Sequence, residues 1–124
     1  MTVEVDKAAI CENFMDDEEL IFESIDLFME SSNARLKILQ EAVAQRDPDR
    51  VMAEAHALKG VVGIFSPGEI MEAAKILEFM GRNKNLEGVD EALVNFENLL
   101  GQLTEILRQW KEEGISDGDD DDDE

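Results

Sequence analysis

Hydrophobic residues recur along this chain at spacings of three and four, and sustained alternation is absent. That periodicity predicts helices and disfavours strands. Ile21, Ile25, Phe28, Leu36, Leu39 and Val43 fall on one face of a long helix that starts near Asp16 or Asp17 and runs to about Gln45. Leu20, Leu27 and Ile38 are expected to widen that face, and acids crowd the first turn, as the helix dipole favours. The stretch DPDR at 47–50 then stops one helix and starts the next, with Asp47 as cap and Pro48 at the first helical position. Val51, Ala55, Leu58, Val62 and Phe65 form the second stripe. At SPGE, 66–69, Ser66 is expected to cap a third helix, with Pro67 at its first position and Glu69 closing a capping box. Ile70, Ala73, Leu77 and Met80 are its stripe, and Gly81 is expected to end it. Val89, Leu93, Phe96, Leu100, Leu103, Leu107 and Trp110 alternate at four and three along a last helix to about Glu113, before Gly114.

Four stripes need mutual burial. The expected fold is therefore all-α: an antiparallel four-helix bundle with a short extra N-terminal helix at about 6–14. Residues 1–114 read as one bundle domain. Residues 115–124, ISDGDDDDDE, carry charge and nothing to bury, and read as a disordered acidic tail.

Composition narrows the function classes. At 124 residues and 44% hydrophobic, the chain suits a single packed domain. Its net charge of −20 argues against nucleic acid, whose phosphates are met by Lys and Arg, and against anionic membranes. A protein partner with a neutral or basic face is expected. The lone Cys11 permits no internal disulfide and reads as a small core residue. The N-terminus has no signal-peptide pattern, and no run approaches the ~18 apolar residues of a membrane span. A cytoplasmic monomer is the expectation.

The chemistry concentrates in AEAHALKGVVGIF, residues 53–65, which holds the one histidine of the chain. At 100° per residue, His56 lies about 140° from the core direction of its helix, Lys59 about 80° and Gly60 about 180°. Met52 falls at about 100°, Gly63 at about 120° and Ile64 at about 220°. His56 thus projects outward, with a lysine one turn along on the core side and a bare surface beyond. An interior glycine costs a helix roughly 1 kcal/mol relative to alanine, so two of them call for a reason. Close helix packing beside a neutral surface histidine is one. The other is a cleared approach to a nucleophilic imidazole, with an ammonium to compensate a transferred phosphoryl group.

HALKG, His56 to Gly60, resembles the H-x-x-K-G signature of histidine-containing phosphotransfer (HPt) domains. The likeness extends to the small residues of AEAH before the histidine, the helix EIMEAAKILE after it, and the upstream run ENFMDDEELIFESIDLFMESSNARLKILQEAV. It covers about residues 3–110. The resemblance implies a phosphorelay intermediate in two-component signalling. His56 would accept a phosphoryl group on Nε2 from a receiver aspartate or a sensor histidine kinase and pass it to a receiver aspartate. Lys59 would be its electrostatic partner, and Gly60 would leave room for the phosphoryl group and the docking receiver. The chain would need no cofactor or metal of its own, because the Mg²⁺ used in transfer belongs to the receiver. The family often has a small polar residue after the glycine, where this chain has Val61 and Val62, and the acidic tail also lies outside the pattern.

Met52, Gly63 and Ile64 are expected to form a docking rim around the histidine. An enzyme is disfavoured: there is no second histidine, no Gly-rich phosphate loop and no ATP-binding kinase core. No zinc spacing is present, and the DDDDDE run lacks the ligand spacing of a calcium loop. The alternative to a phosphocarrier is a helical docking module that binds receiver or other signalling proteins without chemistry.

Overall fold

The computed structural model describes residues 3–114. The tail expected at 115–124 lies outside the described residues. Five helices follow one another: α1 Lys7–Asn13, α2 Glu18–Ala44, α3 Pro48–Gly63, α4 Glu69–Arg82 and α5 Val89–Glu113. No strand occurs among the described residues.

Local chemistry sets several of these ends. Asp6, Asp17 and Asp47 each occupy an N-cap, and each side chain accepts a backbone N–H three residues on, at Ala9, Leu20 and Arg50. A carboxylate there satisfies an orphan donor and meets the positive end of the helix dipole. Pro48 follows Asp47 directly, where its fixed φ and missing N–H do no harm.

The four long helices pack in a ring: α2 on α3, α3 on α4, α4 on α5 and α5 back on α2. Cross-helix contacts give their directions. Arg35 pairs with Glu54 and Arg50 with Glu41, so α2 and α3 run antiparallel. Gln40 donates to Glu97, and Arg46 forms a two-pronged bond to Asp90, so α2 and α5 do as well. Gly63, at the end of α3, faces Met71 near the start of α4, while Gly81, near the end of α4, faces Pro48 and Met52. Inside the ring Ile25, Leu39, Leu58, Leu77, Phe96 and Leu103 are fully buried. Each contributes about 1.5–3 kcal/mol through the apolar surface it removes from water. Helix α1 closes one end. The Val3 N–H donates to Gln102, Ser66 Oγ donates to the Glu4 carbonyl, Phe14 stacks on Phe65, and Lys7 lies over the Trp110 ring.

Three local expectations are corrected. Ser66 does not cap α4 and no capping box with Glu69 forms. Its N–H closes the last turn of α3 onto Val62, its hydroxyl serves the N-terminal segment, and the N-cap is Gly68, without a side-chain bond. Gly81 does not end α4. It is buried within the helix at the crossing with α3, where an added Cβ would lie 2.5 Å from the Met52 nitrogen and the Pro48 carbonyl oxygen. The helix stops instead through Lys84 in the left-handed region, with the Asn85 N–H returning to the Met80 carbonyl. Leu20 and Leu27 do not widen the core face of α2; they are 38% and 66% exposed.

Candidate functional site

Helices α3 and α4 are the most extensively packed neighbours, and the candidate residues sit at their mutual surface. Gly81 permits that closeness at one end of the contact, since any larger residue would meet backbone. Gly63 serves the same contact at the other end: a Cβ there would come within 2.8 Å of the Met71 sulfur. Gly63 is therefore half-buried packing against α4, and it does not join the open rim that the helical wheel suggests. Gly60 differs. A Cβ at this position would meet nothing within 4 Å, so the surface one turn beyond the histidine is bare.

His56 stands on that open surface with 67% of its side chain exposed. One ring edge turns inward, and Nδ1 lies 3.0 Å from Glu78 Oε2. Lys59, one turn along α3 and only 26% exposed, places Nζ 2.7 Å from Oε1 of the same carboxylate. Arg82, one turn along α4, donates to Oε2 at 2.9 Å. One carboxylate thus gathers an imidazole, an ammonium and a guanidinium.

Glu78 is itself 3% exposed. It sits in the apolar stripe of α4 with Ile70, Ala73, Ala74, Leu77 and Gly81. Burial disfavours an ionised carboxylate, and nearby cations favour it. The balance here falls to the cations. The Lys59 ammonium against the carboxylate is the largest influence. With the hydrogen bond from His56 it outweighs burial, so the Glu78 carboxyl is held below its ordinary value of 4.5. Glu78 is thus an anion inside an apolar helix contact.

Sequence reasoning missed Glu78 and Arg82, although a signal was present. Glu78 falls at i+8 from Ile70 and i+4 from Ala74, on the buried stripe. A carboxylate at a core position calls for a cation, and the ones that meet it are Lys59 on α3 and Arg82 one turn along α4 itself.

Met52, one turn before His56, is half-buried, with its backbone against Gly81. Ile64 is 54% exposed. It is the C-cap of α3, still with helical dihedrals, and follows His56 and Gly60 at intervals of four, so the three lie along one face. That face leads to an apolar groove lined by Phe14, Leu27, Phe28, Val61, Ile64 and Phe65, with Ser24 and Ser31 at its border. No cluster of three or more possible metal ligands occurs among the described residues, and no helix there is long and apolar enough to cross a membrane.

Chemically, the arrangement offers an exposed imidazole, open space one turn along at Gly60, and positive charge beside it at Lys59 and Arg82. Comparison with known proteins adds to this. A family model described as the Hpt domain matches residues 23–112. Among solved structures, the crystal structure of histidine-containing phosphotransfer protein B (HptB) from Pseudomonas aeruginosa PAO1 is similar, with a TM-score of 0.80. The match covers 87% of this chain and 94% of that one at 19% sequence identity, a likeness of fold. No curated protein matches the sequence.

Proposed function

The chain belongs to the Hpt domain family, phosphotransfer modules of two-component signalling, and from that premise we propose that it is a histidine phosphocarrier with His56 as its phosphoryl acceptor. The observation that carries this reading is the exposed imidazole. Its Nδ1 is engaged by Glu78, so Nε2 is the ring nitrogen left to meet a partner across the bare surface at Gly60.

In the forward step the Nε2 lone pair attacks the phosphorus of a receiver's aspartyl phosphate, or of a phosphorylated sensor kinase histidine, in line with the leaving group. The return step delivers the group to a receiver aspartate. Phosphoryl transfer asks little covalent work of the protein and depends on position and charge. Lys59 supplies positive charge within one turn of His56, against a group that adds about two negative charges. Gly60 leaves the space that group and the incoming receiver occupy. The Mg²⁺ of the reaction belongs to the receiver, and the chain acts as substrate and donor in transfers its partners catalyse.

Docking is assigned to the surface around His56. Met52 and Ile64 flank the histidine on α3, and the groove beyond Ile64 exposes Leu27, so apolar area is available to a receiver. The same groove is what a docking module without chemistry would use, and one experiment separates the two readings. The protein is incubated with phosphorylated receiver domains and Mg²⁺, with His56→Gln as control. Acid-labile, base-stable label on the wild type alone is the expected result. If no receiver or histidine kinase labels the protein while both forms bind them, the docking reading replaces this one.

A further inference from the structure

Beyond Arg82, the outer face of α4 has a character that the groove lacks. The groove is lined by residues between Phe14 and Phe65, ahead of α4 in the chain. On α4, Ile76 is 47% and Phe79 44% exposed. Neither fills the core, which the helix meets through Ile70, Ala73, Ala74 and Leu77. Two cations bracket the Phe79 ring: Lys75 Nζ lies 5.7 Å from its centroid and the Arg82 guanidinium carbon 5.3 Å. Spacings of four and three place these side chains together on one exposed strip.

The charge of this strip is opposite to that of the chain, which carries −20 overall. Between residues 73 and 84 the one acid is Glu78, buried against Lys59, His56 and Arg82. The exposed charges there are Lys75, Arg82 and Lys84, with Lys84 paired to Asp49 and Glu72 standing one turn before Ile76. Lys75 makes no ion pair among the described residues and rests on the Phe79 ring instead. The helix dipole accounts for a basic residue in the last turn, as Arg82 is. It does not account for an ammonium in mid-helix or for an aromatic ring held out of the core. A cation over an exposed ring stabilises the fold less than burying that ring would.

We propose that Lys75, Ile76, Phe79 and Arg82 form a second docking surface, and that its occupant is an acidic segment of a partner protein that brings an apolar side chain to the Phe79 ring. Phe79 and Ile76 offer apolar area, and an aromatic ring beside an arginine is the composition of an interface hot spot. Both cations already lie against the ring, so little side-chain freedom is left to lose when they meet carboxylates. They attract an acidic segment and repel a basic one, so the strip selects by charge as well as by shape. A second copy of this chain is a poor occupant, because −20 would meet −20. The inference goes beyond the phosphocarrier reading and does not depend on it. Arg82 also bonds Glu78 beneath His56, so a partner on this strip is held beside the histidine.

The probe is a short synthetic peptide of Asp and Glu with one central Leu, titrated into the nitrogen-15-labelled full chain and followed by NMR. Amide shift changes are expected to gather at Lys75, Ile76, Phe79 and Arg82. Phe79→Ala is expected to weaken binding about tenfold. Lys75→Glu is expected to weaken it about fivefold at low salt, with the difference shrinking as salt is added. Ile64→Glu, in the groove, should bind the peptide as wild type does. His56→Gln should as well, so failure of the phosphocarrier reading leaves this result untouched. Shift changes absent from the strip overturn the proposal, as does equal binding to wild type, Phe79→Ala and Lys75→Glu. Equal binding of a peptide with Ala in place of Leu also overturns it, since that is charge attraction alone. The chain's own acids supply the last control: if replacing Asp119 to Asp123 by Asn shifts the strip resonances with no peptide present, the occupant is residues 117–124 and not a partner.

Discussion

Gly60→Ala is expected to make this protein more stable and less active. The position lies within the last turn of α3, and a Cβ built there meets nothing within 4 Å. No clash therefore offsets the gain in helix propensity, which is roughly 0.5–1 kcal/mol for Gly→Ala and arises largely from a less flexible unfolded chain. With an unfolding entropy near 2 cal/mol/K per residue, that gain raises Tm by roughly 2–4 °C. The methyl group also stands one turn from His56, on the surface that a phosphoryl group would cross under the proposed function. Near-attack geometry holds reacting atoms about 3–3.5 Å apart, and misplacement by about 1 Å costs on the order of 100-fold. A drop in transfer rate of tenfold or more is expected. Thermal denaturation followed by circular dichroism reads the first effect. Initial rates of label transfer from a phosphorylated receiver read the second. A lower Tm would refute the account of open space at Gly60. A raised Tm with wild-type transfer would refute its role in access.

Gly81→Ala is the counterpart, since its Cβ would press on the backbone of Pro48 and Met52. Overpacking of about 1–3 kcal/mol should appear in urea denaturation, and a stability gain would show that the α3–α4 crossing yields easily. Acid should weaken the fold in part through Glu78. Its carboxyl is depressed, chiefly by Lys59, so its contribution is complete above the ordinary value of 4.5 and is lost as pH falls through the lower folded value. Urea midpoints taken across that range should be flatter for Glu78→Gln than for wild type, and parallel curves would deny Glu78 this role. Ile64→Glu places charge on an exposed apolar position and should weaken receiver docking about fivefold or more at unchanged Tm. Normal transfer would remove Ile64 from the docking surface, and the same assay on Met52→Glu tests the other side of the histidine.

The parts of the fold that could be read from the sequence are those with local causes. Asp17 and Asp47 cap helices through their own next turn, and Pro48 is suited to the position it occupies. The four stripes needed only the 3.6-residue period, and 24 hydrophobic residues among those described are buried. The misreadings share another origin. Ser66 and Gly81 have the chemistry of a cap and a terminator, but a neighbouring segment claims each: the Glu4 carbonyl takes the Ser66 hydroxyl, and the backbone of α3 takes the space beside Gly81. Leu27 has the period of a core residue on a flank its neighbouring helices leave open. At the site, the wheel placed His56 outward and Lys59 nearer the core from α3 alone. Glu78 and Arg82 lie on another helix, so their meeting with His56 follows from packing rather than from any spacing in α3.

Two features of this bundle oppose its own stability, and both converge on one side chain. Gly60 forgoes helix propensity at a position where alanine would fit without contact. Glu78 puts a charge at a core position of α4, where an apolar residue of similar volume would ordinarily hold two helices together as well or better. The desolvation is offset only because Lys59, His56 and Arg82 are aimed at the same two oxygens. A bundle whose task was to present an apolar groove would need neither feature, since the groove lies beyond Ile64 and uses Phe14, Leu27 and Phe28. Under the proposed function, Gly60 would matter to a group approaching His56, and Glu78 to the ring whose Nδ1 it holds. Their coincidence around one exposed imidazole weighs the site toward transfer and away from docking alone. It also orders the experiments: if Gly60→Ala and Glu78→Gln both left transfer untouched, the two sacrifices in stability would have no common cause.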